Sequence, residues 1–514
     1  MPQYLAGVDV GTTGARCVLF DTQGRFIAGE YREYGADYPK PGWVEQDACA
    51  LIDQAMEACR IAVGRSGIKP TEIASIGFSA QRSVTCPVTA DGTPVRPMIS
   101  WQDARTGAEV DDMRQLIEEA EYYRLSGVPM GTTWVITKLL WMRKHEPEAF
   151  ERTQKFVQNQ DLVLRAFGAE GFHTDTCCMA FYGTWDVEQV DWNRTLMDRL
   201  GVSPEMFGTA TPPGTQVGTV PAAVAEKTRF AVGTPICVGA GDQNCGVVGM
   251  GAIRPGMATV TLGTCGMAIL GVDRPISGFG GMMITNHAVR GMWEVEGLSN
   301  AAAGCFRWFR DVVGTAEIER AARDGGDAFE ILNELAATAE PGSKGLLYLP
   351  YLATAATPRW NCNARAAFVG LSLAHGRAEL TRAVMEGVVL EIRDIIEGWL
   401  RADMEVKTLR IGGGATRSRL WNQIQADVYG RPVQTLSADE STGLGAALLG
   451  GVGAGVFASI QEGVDAMVRV ATEIAPDPRR HQRYEEMYRA YVQAYEGLTA
   501  SGTFETLARI QTGS

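Results

Sequence analysis

One pattern occurs in both halves of this 514-residue chain: an apolar strand, a turn with Gly-Thr, and a second apolar strand. The first copy is GVDVGTTGARCVLFD, residues 7–21, and the second is MATVTLGTCGMAILGV, residues 257–272. A tight hairpin needs only glycine at its turn, so the acid, hydroxyl and arginine of the first copy indicate additional chemistry. The repeat predicts a duplicated architecture, with domains at residues 1–253 and 254–514.

The segments around the first copy predict an α/β domain built on a mixed sheet. Three short strands come first, followed by a helix that begins after Asp47 as N-cap and by the strand IASIGFSA, which is apolar on both faces. Residues 84–101 read as a hairpin with Asp91-Gly92 in its turn. Strands first, then alternating helix and strand, are typical of an α/β fold.

Composition excludes several classes of protein. The net charge of −13, without a basic block, argues against a nucleic-acid partner. The eleven cysteines and five histidines show no metal-ligand spacing, and no apolar run is long enough to span a membrane. The amino terminus does not resemble a signal peptide. We expect a reduced, cytoplasmic protein with no membrane partner.

The two Gly-Thr turns are candidate phosphate loops. Small residues expose consecutive backbone N–H groups, and threonine adds a hydroxyl donor, so each turn can hold a phosphate oxygen. The loop residues are Gly11, Thr12, Thr13, Gly263 and Thr264. An ordinary hairpin turn is the alternative for either one alone, but two turns at corresponding places favour the phosphate hypothesis.

Two charged residues flank the first turn. Asp9 precedes it closely enough to bind a metal ion or its water shell, and Mg²⁺ favours one or two carboxylates together with phosphate oxygens. Arg16 follows the turn and is a candidate for neutralising phosphate, with a solvated strand position as its alternative.

Two further turns follow strands at the carboxyl end, where α/β enzymes place their chemistry. In VGAGDQNCG, Asp242 is a candidate general base for a substrate hydroxyl, although it could instead cap the next helix. In IGGGATRSRLWNQIQAD, residues 411–427, glycines open a helix and admit a flat ring or a phosphate. This run is not a G-x-G-x-x-G fingerprint, so a dinucleotide-dependent oxidoreductase is disfavoured.

Polar side chains beside an indole suit a polyhydroxylated ligand, because they offer donors and acceptors next to an apolar face. Such residues occur in FSAQRSVTC and ISWQDARTGAE: Gln81, Arg82, Trp101, Gln102, Asp103 and Arg105. The alternative is that they are surface polar residues, with Trp101 in the core.

Together these segments resemble the FGGY family of carbohydrate kinases, over nearly the whole chain to about residue 460. The most specific stretch is AAFVGLSLAHGRAELTRAVME, residues 366–386, and PGWVEQD, GAGDQN and KLLWMRKH are also similar to family motifs. The resemblance implies two ribonuclease-H-like (actin-like) domains with a cleft between them. It also implies ATP and Mg²⁺ as cofactors and a small sugar or polyol as substrate.

The resemblance assigns roles to single residues. It implies that Asp242 is the catalytic base and that Asp9 lies near magnesium. For the nucleotide it implies the two Gly-Thr loops and Gly413, Gly414, Ala415 and Asn422, to which Arg16 is added from its position beside the first loop. For the substrate it implies Arg82, Trp101 and Gln243, to which Gln81 and Asp103 are added from their positions.

The acceptor stays open at this level. Ser83 stands where glycerol kinases have Glu, and Gln81-Arg82-Ser83 differs from the Gln-Met-His usual in xylulokinases. A ketopentose such as xylulose is the first expectation, with erythritol or autoinducer-2 as alternatives. A sugar-sensing pseudokinase and an ATPase of the actin/Hsp70 type are the rival functions. A homodimer is also left open.

Overall fold

The computed structural model describes residues 4–276 and 280–512. Within these ranges no helix is long and apolar enough to cross a membrane. The strands are β1 Tyr4–Val10, β2 Gly14–Asp21, β3 Phe26–Glu33, β4 Glu45–Gln46, β5 Ile73–Ala80, β6 Cys86–Val88, β7 Met98–Ile99, β8 Lys155–Val157, β9 His173–Asp175, β10 Trp185–Asp186, β11 Asp191–Trp192, β12 Thr209–Thr211, β13 Gln216–Thr219, β14 Pro235–Gly241, β15 Met257–Leu262, β16 Gly266–Val272, β17 Met283–Asn286, β18 Trp293–Ser299, β19 Leu347–Leu349, β20 Ala367–Val369, β21 Thr408–Gly412, β22 Val433–Leu436 and β23 Val470–Ile474.

The helices surround two large sheets. They are α1 Ala48–Ser66, α2 Gly107–Leu116, α3 Glu119–Ser126, α4 Val135–His145, α5 Pro147–Arg152, α6 Asn159–Phe167, α7 Arg194–Leu200, α8 Ala222–Thr228, α9 Asp242–Gly249, α10 Ala302–Val313, α11 Thr315–Asp324, α12 Ala328–Ala337, α13 Arg377–Arg401, α14 Arg419–Tyr429, α15 Ser441–Gly453, α16 Ile460–Met467, α17 Pro478–Ala500 and α18 Thr503–Thr512. As predicted, Asp47 caps α1: its carboxylate accepts from the amides of Cys49 and Ala50.

Both sheets repeat one topology, which confirms the predicted two-domain α/β class. The first has the order β13-β14-β5-β1-β2-β3, and the second has β23-β22-β21-β15-β16-β18-β17. In each sheet, the first strand of a hairpin (β1–β2 or β15–β16) pairs on its other side with parallel strands, β5 and then β14 in the first sheet and β21 and then β22 in the second. The carboxyl ends of the parallel strands and the Gly-Thr turns therefore lie at the same edge of each sheet. The boundary at residues 253 and 254 stays a prediction.

The hairpin expected at residues 84–101 is only partly formed. Its turn is present, with the Gly92 amide donating to the Thr89 carbonyl at 3.0 Å. The main partners of its strands are different, however: β6 pairs with β8, and β7 pairs with β4. Strands from segments distant in the sequence, β4 and β8, therefore pair here instead of the two arms of the hairpin with each other.

Helix α15 comes from the end of the second half but packs against the first sheet. A Cβ atom on Gly7 would lie 2.0 Å from the Gly443 carbonyl oxygen, and one on Gly77 would lie 1.8 Å from that of Ala446. Both strands therefore need glycine at these points. The run of small residues in α15 allows the helix backbone to rest directly on β1 and β5.

We expect Gly77→Ala to lower the free energy of unfolding by about 3 kcal/mol or more, because the added methyl group meets backbone that cannot rotate away. Urea denaturation measures the change. Gly497→Ala is the matched control, since Gly497 lies in α17 with open space around it. It should leave stability equal or slightly raised. Equal effects of the two substitutions would contradict the packing described for α15.

Candidate active site

Asp9 lies on β1 between Arg16 on β2 and Ser79 on β5, its register partners in the two neighbouring strands. The Ser79 hydroxyl donates to Asp9 Oδ1 at 2.9 Å. Burial, followed by the nearby Asp242 carboxylate, raises the pKa of Asp9 to about 7. Arg16 forms an ion pair with Glu440, which immediately precedes α15.

The first Gly-Thr loop is held by its carbonyl groups. The Gly11 carbonyl accepts from the Tyr34 hydroxyl, that of Thr12 from Gln46 Nε2 at 2.8 Å, and that of Thr13 from the Tyr34 amide at 3.1 Å. Within residues 4–276 and 280–512, the backbone amides of Thr12 and Thr13 donate no hydrogen bond. The loop carbonyls are thus bonded to the protein while these amide donors stay available, and such an arrangement suits an anionic ligand.

The second loop and the glycine run lie against each other. Gly413 follows β21 with φ +83°, and a Cβ there would lie 2.5 Å from the carbonyl oxygen of Leu262, the residue before Gly263. Only glycine allows this contact. Thr264 is exposed, and its carbonyl accepts from the amide of Gly304 at 3.2 Å.

Asn422 lies on α14, the helix that follows the glycine run. Its Nδ2 donates to the Thr416 carbonyl at 2.8 Å, whereas its buried Oδ1 has no hydrogen-bond partner within the described residues. Gly414 and Ala415 lie in the short 3₁₀ turn that connects β21 to α14. A buried acceptor without a donor can receive one from a ligand.

Asp242 is the first residue of α9, and Gly241 occupies the N-cap position. The structure therefore does not support the alternative in which Asp242 caps the helix. Its Oδ1 accepts from the Gln243 amide at 2.8 Å and lies 3.5 Å from Arg82 Nε. Burial raises the pKa of Asp242, and Arg82 opposes the rise. A carboxylate of raised pKa beside an arginine is suited to accept a proton.

Arg82 is a second centre of the site. Its guanidinium group binds both oxygens of Glu296, at 2.9 and 2.8 Å, and lies 4.5 Å from the centre of the Phe181 ring. A further bond of 3.3 Å joins Arg82 Nη1 to Asn244 Oδ1. Although burial alone lowers the pKa of Arg82, Glu296 and then Asp242 raise it above its ordinary value.

Gln81 and Trp101 are both linked to the first loop. The Trp101 indole donates to Thr12 Oγ1 at 3.1 Å, and Gln81 Nε2 donates to Gln46 Oε1 at 2.8 Å. Gln46 is the same side chain that holds the Thr12 carbonyl. Gln81 Oε1 is buried and has no partner among the described residues.

Asp103 is fully engaged elsewhere. Its oxygens accept from the Val44 amide at 2.6 Å and from the Arg105 side chain at 2.9 and 2.8 Å. Arg105 in turn stacks on Trp43 and Trp141. The pair supports the segment that carries Trp101.

The predicted site residues thus lie in two groups. One surrounds the first loop with Asp9, Arg16, Gln81, Arg82, Trp101, Asp242 and Gln243, and the other occupies the equivalent edge of the second sheet. Sequence reasoning missed Gln46, Ser79, Asn244, Glu296 and Glu440. Only Gln46 and Asn244 had a signal, as members of the PGWVEQD and GAGDQN motifs.

Two family models match the chain: the N-terminal domain of the FGGY family of carbohydrate kinases over residues 4–249, and its C-terminal domain over residues 258–454. Among curated relatives, a xylulose kinase of Staphylococcus epidermidis is 27% identical over 499 residues, covering 96% of this chain and 97% of its own. An autoinducer-2 kinase of Escherichia coli K12 is 29% identical over 521 residues, covering 98% and 97%.

Solved structures of similar fold extend over the same length. A ligand-bound xylulose kinase from Lactobacillus acidophilus superposes with a TM-score of 0.88 at 25% identity, covering 98% of this chain and 99% of its own. A Plasmodium falciparum glycerol kinase with ADP gives a TM-score of 0.83 at 18% identity, covering 96% and 98%.

Proposed function

The chain belongs to the FGGY family of carbohydrate kinases and is an ATP-dependent sugar kinase; we propose that its acceptor is a ketopentose of the xylulose type. The choice of a ketopentose rests on the relatives, whereas the observation that carries the proposed phosphoryl transfer is the position of Asp242. It lies at the carboxyl end of β14, 3.5 Å from Arg82 and close enough to Asp9 to raise its pKa. One carboxylate therefore faces both the acceptor group and the phosphate loop.

For ATP, the fit rests on groups that have no hydrogen-bond partner among the described residues. The free amides of Thr12 and Thr13 and the exposed Thr264 suit phosphate oxygens, with Arg16 as a nearby cation. The glycine run, together with the unpaired Asn422 Oδ1, suits the rest of the nucleotide. ATP supplies the phosphoryl group when it is bound.

For Mg²⁺, the donor set is carboxylate and phosphate. Among the described residues no group of three or more His, Cys, Asp or Glu side chains could hold a metal alone. The pKa of Asp9 is raised first by burial and then by the Asp242 carboxylate, so the two acids repel each other when both are charged. A dication held through Asp9 and the phosphates would relieve that repulsion and neutralise charge on the transferring group.

At the acceptor side, Asp242 takes the proton of the attacking hydroxyl. The new bond joins that oxygen to the γ-phosphorus, the bond to the β-phosphate oxygen breaks, and ADP leaves. Arg82 donates to acceptor oxygens, the unpaired Gln81 Oε1 accepts from a hydroxyl, and Trp101 offers an apolar face. Gln243 lies beside Asp242. Because its oxygens are occupied, we assign Asp103 to supporting the Trp101 segment rather than to contacting the acceptor.

The relatives favour a ketopentose, since proteins named xylulose kinase resemble this chain over nearly its full length, at 25–27% identity. The autoinducer-2 kinase, at 29% identity, makes its named substrate the second candidate. A cytoplasmic location and a homodimer stay predictions.

A coupled ADP assay over pentuloses, hexuloses, polyols and autoinducer-2 tests the acceptor. We expect ADP release to depend on the acceptor and to be fastest with D-xylulose. Faster turnover of autoinducer-2 would overturn the choice of acceptor. Release of ADP at the same rate without any acceptor would contradict the assignment of the site as an acceptor site.

We expect Asp242→Asn to lower kcat by ~10²–10⁴-fold, the usual contribution of a positioned base, with much less change in sugar affinity. Asparagine keeps the shape and the bond to the Gln243 amide but cannot take the proton. Asp47→Asn is the matched control, because asparagine caps a helix about as well as aspartate. It should leave kcat and melting temperature unchanged. Near-wild-type turnover of Asp242→Asn would falsify the base assignment.

Asp9→Asn should raise the Mg²⁺ concentration for half-maximal turnover by about tenfold or more, since even outer partners of metal ligands contribute about 10–100-fold. The Ser79 hydrogen bond can persist with the asparagine oxygen. Sugar binding, followed by thermal shift without nucleotide, should be nearly intact. Unchanged magnesium dependence would mean that Asp9 is only structural.

A further inference from the structure

Arg82 and Glu296 join the two halves of the molecule. Arg82 follows β5 of the first sheet, and Glu296 lies on β18 of the second. Nη1 of the arginine donates to Glu296 Oε1 at 2.9 Å, and Nη2 lies 2.8 Å from Oε2, so a charge-assisted hydrogen bond is accompanied by a close ion pair. The Glu296 side chain is fully buried and also accepts from the Thr285 hydroxyl at 2.7 Å.

Counting the donors of Arg82 shows what remains for a ligand. A guanidinium group has five N–H donors in a fixed plane. Nη1 uses both of its hydrogens, on Glu296 Oε1 and on Asn244 Oδ1, whereas Nη2 lies 2.8 Å from Glu296 Oε2 as an ion pair, and that oxygen has no hydrogen-bond partner among the described residues. The free edge consists of Nε–H and the second Nη2 hydrogen. Nε lies 3.5 Å from Asp242 Oδ1, so this edge faces the proposed base.

The first half of the chain fixes the backbone that carries Arg82. Ser83 has φ +62°, its amide donates to Gln158 Oε1 at 2.9 Å, and its carbonyl accepts from the buried Lys138 Nζ at 3.0 Å. The direction of the guanidinium plane is set separately, by Phe181 beneath it and by Glu296 at its end. The backbone at Arg82 is thus held by the first half of the chain, whereas the head group depends on both halves.

We propose that Glu296 is a positioning residue that aims the free edge of Arg82 at the acceptor hydroxyl beside Asp242. The proposal rests on the proposed function of the site. Acceptor recognition then depends on the position of the second sheet relative to the first. If the second sheet moved away, Glu296 would no longer contact Arg82. Glu296 touches neither the acceptor nor the nucleotide in this scheme.

Glu296→Gln tests the proposal, because it keeps the shape but removes the charge that holds Arg82. We expect the KM for D-xylulose, or for the fastest acceptor of the panel, to rise about tenfold or more. The KM for ATP should stay within about twofold. A merely structural defect would instead lower kcat through a smaller active fraction and leave both KM values unchanged.

Glu294→Gln is the matched control. Glu294 lies two residues away on the same strand, is equally buried, and has a pKa raised well above its ordinary value by burial and then by Glu296. Glutamine in its place keeps an oxygen that can accept from Asn244 Nδ2. Both KM values should remain within about twofold. Equal acceptor KM values for the Glu296→Gln and Glu294→Gln variants would overturn the proposal.

A second measurement needs no acceptor. Melting temperatures of Arg82→Met, Glu296→Gln and the double variant report the pair directly. We expect the melting temperature of the double variant to fall about as far as that of the less stable single variant, because either substitution breaks the same contact. Additive losses would overturn the pairing. Failure of the proposed function is distinguishable, since the wild-type protein would then release no ADP with any acceptor.

Discussion

Helix α15 lies against the first sheet with no side chain between the two backbones at Gly7 and Gly77. The same helix meets α9 just as closely, since a Cβ on Gly445 would lie 1.9 Å from the Cys245 carbonyl oxygen. Its amino-terminal end reaches the site, where the Thr442 hydroxyl is 3.4 Å from the Asp242 carbonyl oxygen. Small residues in one helix thus fix the distance between the first loop, on β1, and the proposed base, on α9.

Features encoded within a short stretch of chain could be predicted from the sequence. The two hairpins, the cap at Asp47 and the strand-end position of Asp242 each depend on neighbouring residues. The stretch at residues 366–386 identified the family although its last residue has a structural role: Glu386 accepts from the Gly342 amide and the Ser343 hydroxyl, both within 3 Å. A residue pattern can therefore be specific to a family without marking its chemistry.

Contacts between distant segments could not be predicted in this way. The sequence WEVEG alternates acids with apolar residues, as a strand with one face in water does, yet Glu294 and Glu296 are both fully buried. Their partners, Asn244 and Arg82, lie in the other half of the chain. Asp103 shows the opposite case. It stands beside Trp101 in sequence, but Arg105 and the Val44 amide occupy it.

The ion pairs around the site explain why two of its acids, Asp9 and Asp242, suit a kinase. Arg16 is paired with Glu440 and Arg82 with Glu296, so each arginine reaches the site already partnered. Asp242 is 3.5 Å from Arg82 Nε, whereas Asp9 forms no ion pair among the described residues, and burial followed by the Asp242 carboxylate raises the pKa of Asp9. Adding a fixed third arginine would stabilise both carboxylates but weaken Asp242 as a base. A magnesium ion carried in with the nucleotide would supply positive charge only when a phosphoryl group is present, and the two acids would then couple the proposed base to the arrival of ATP.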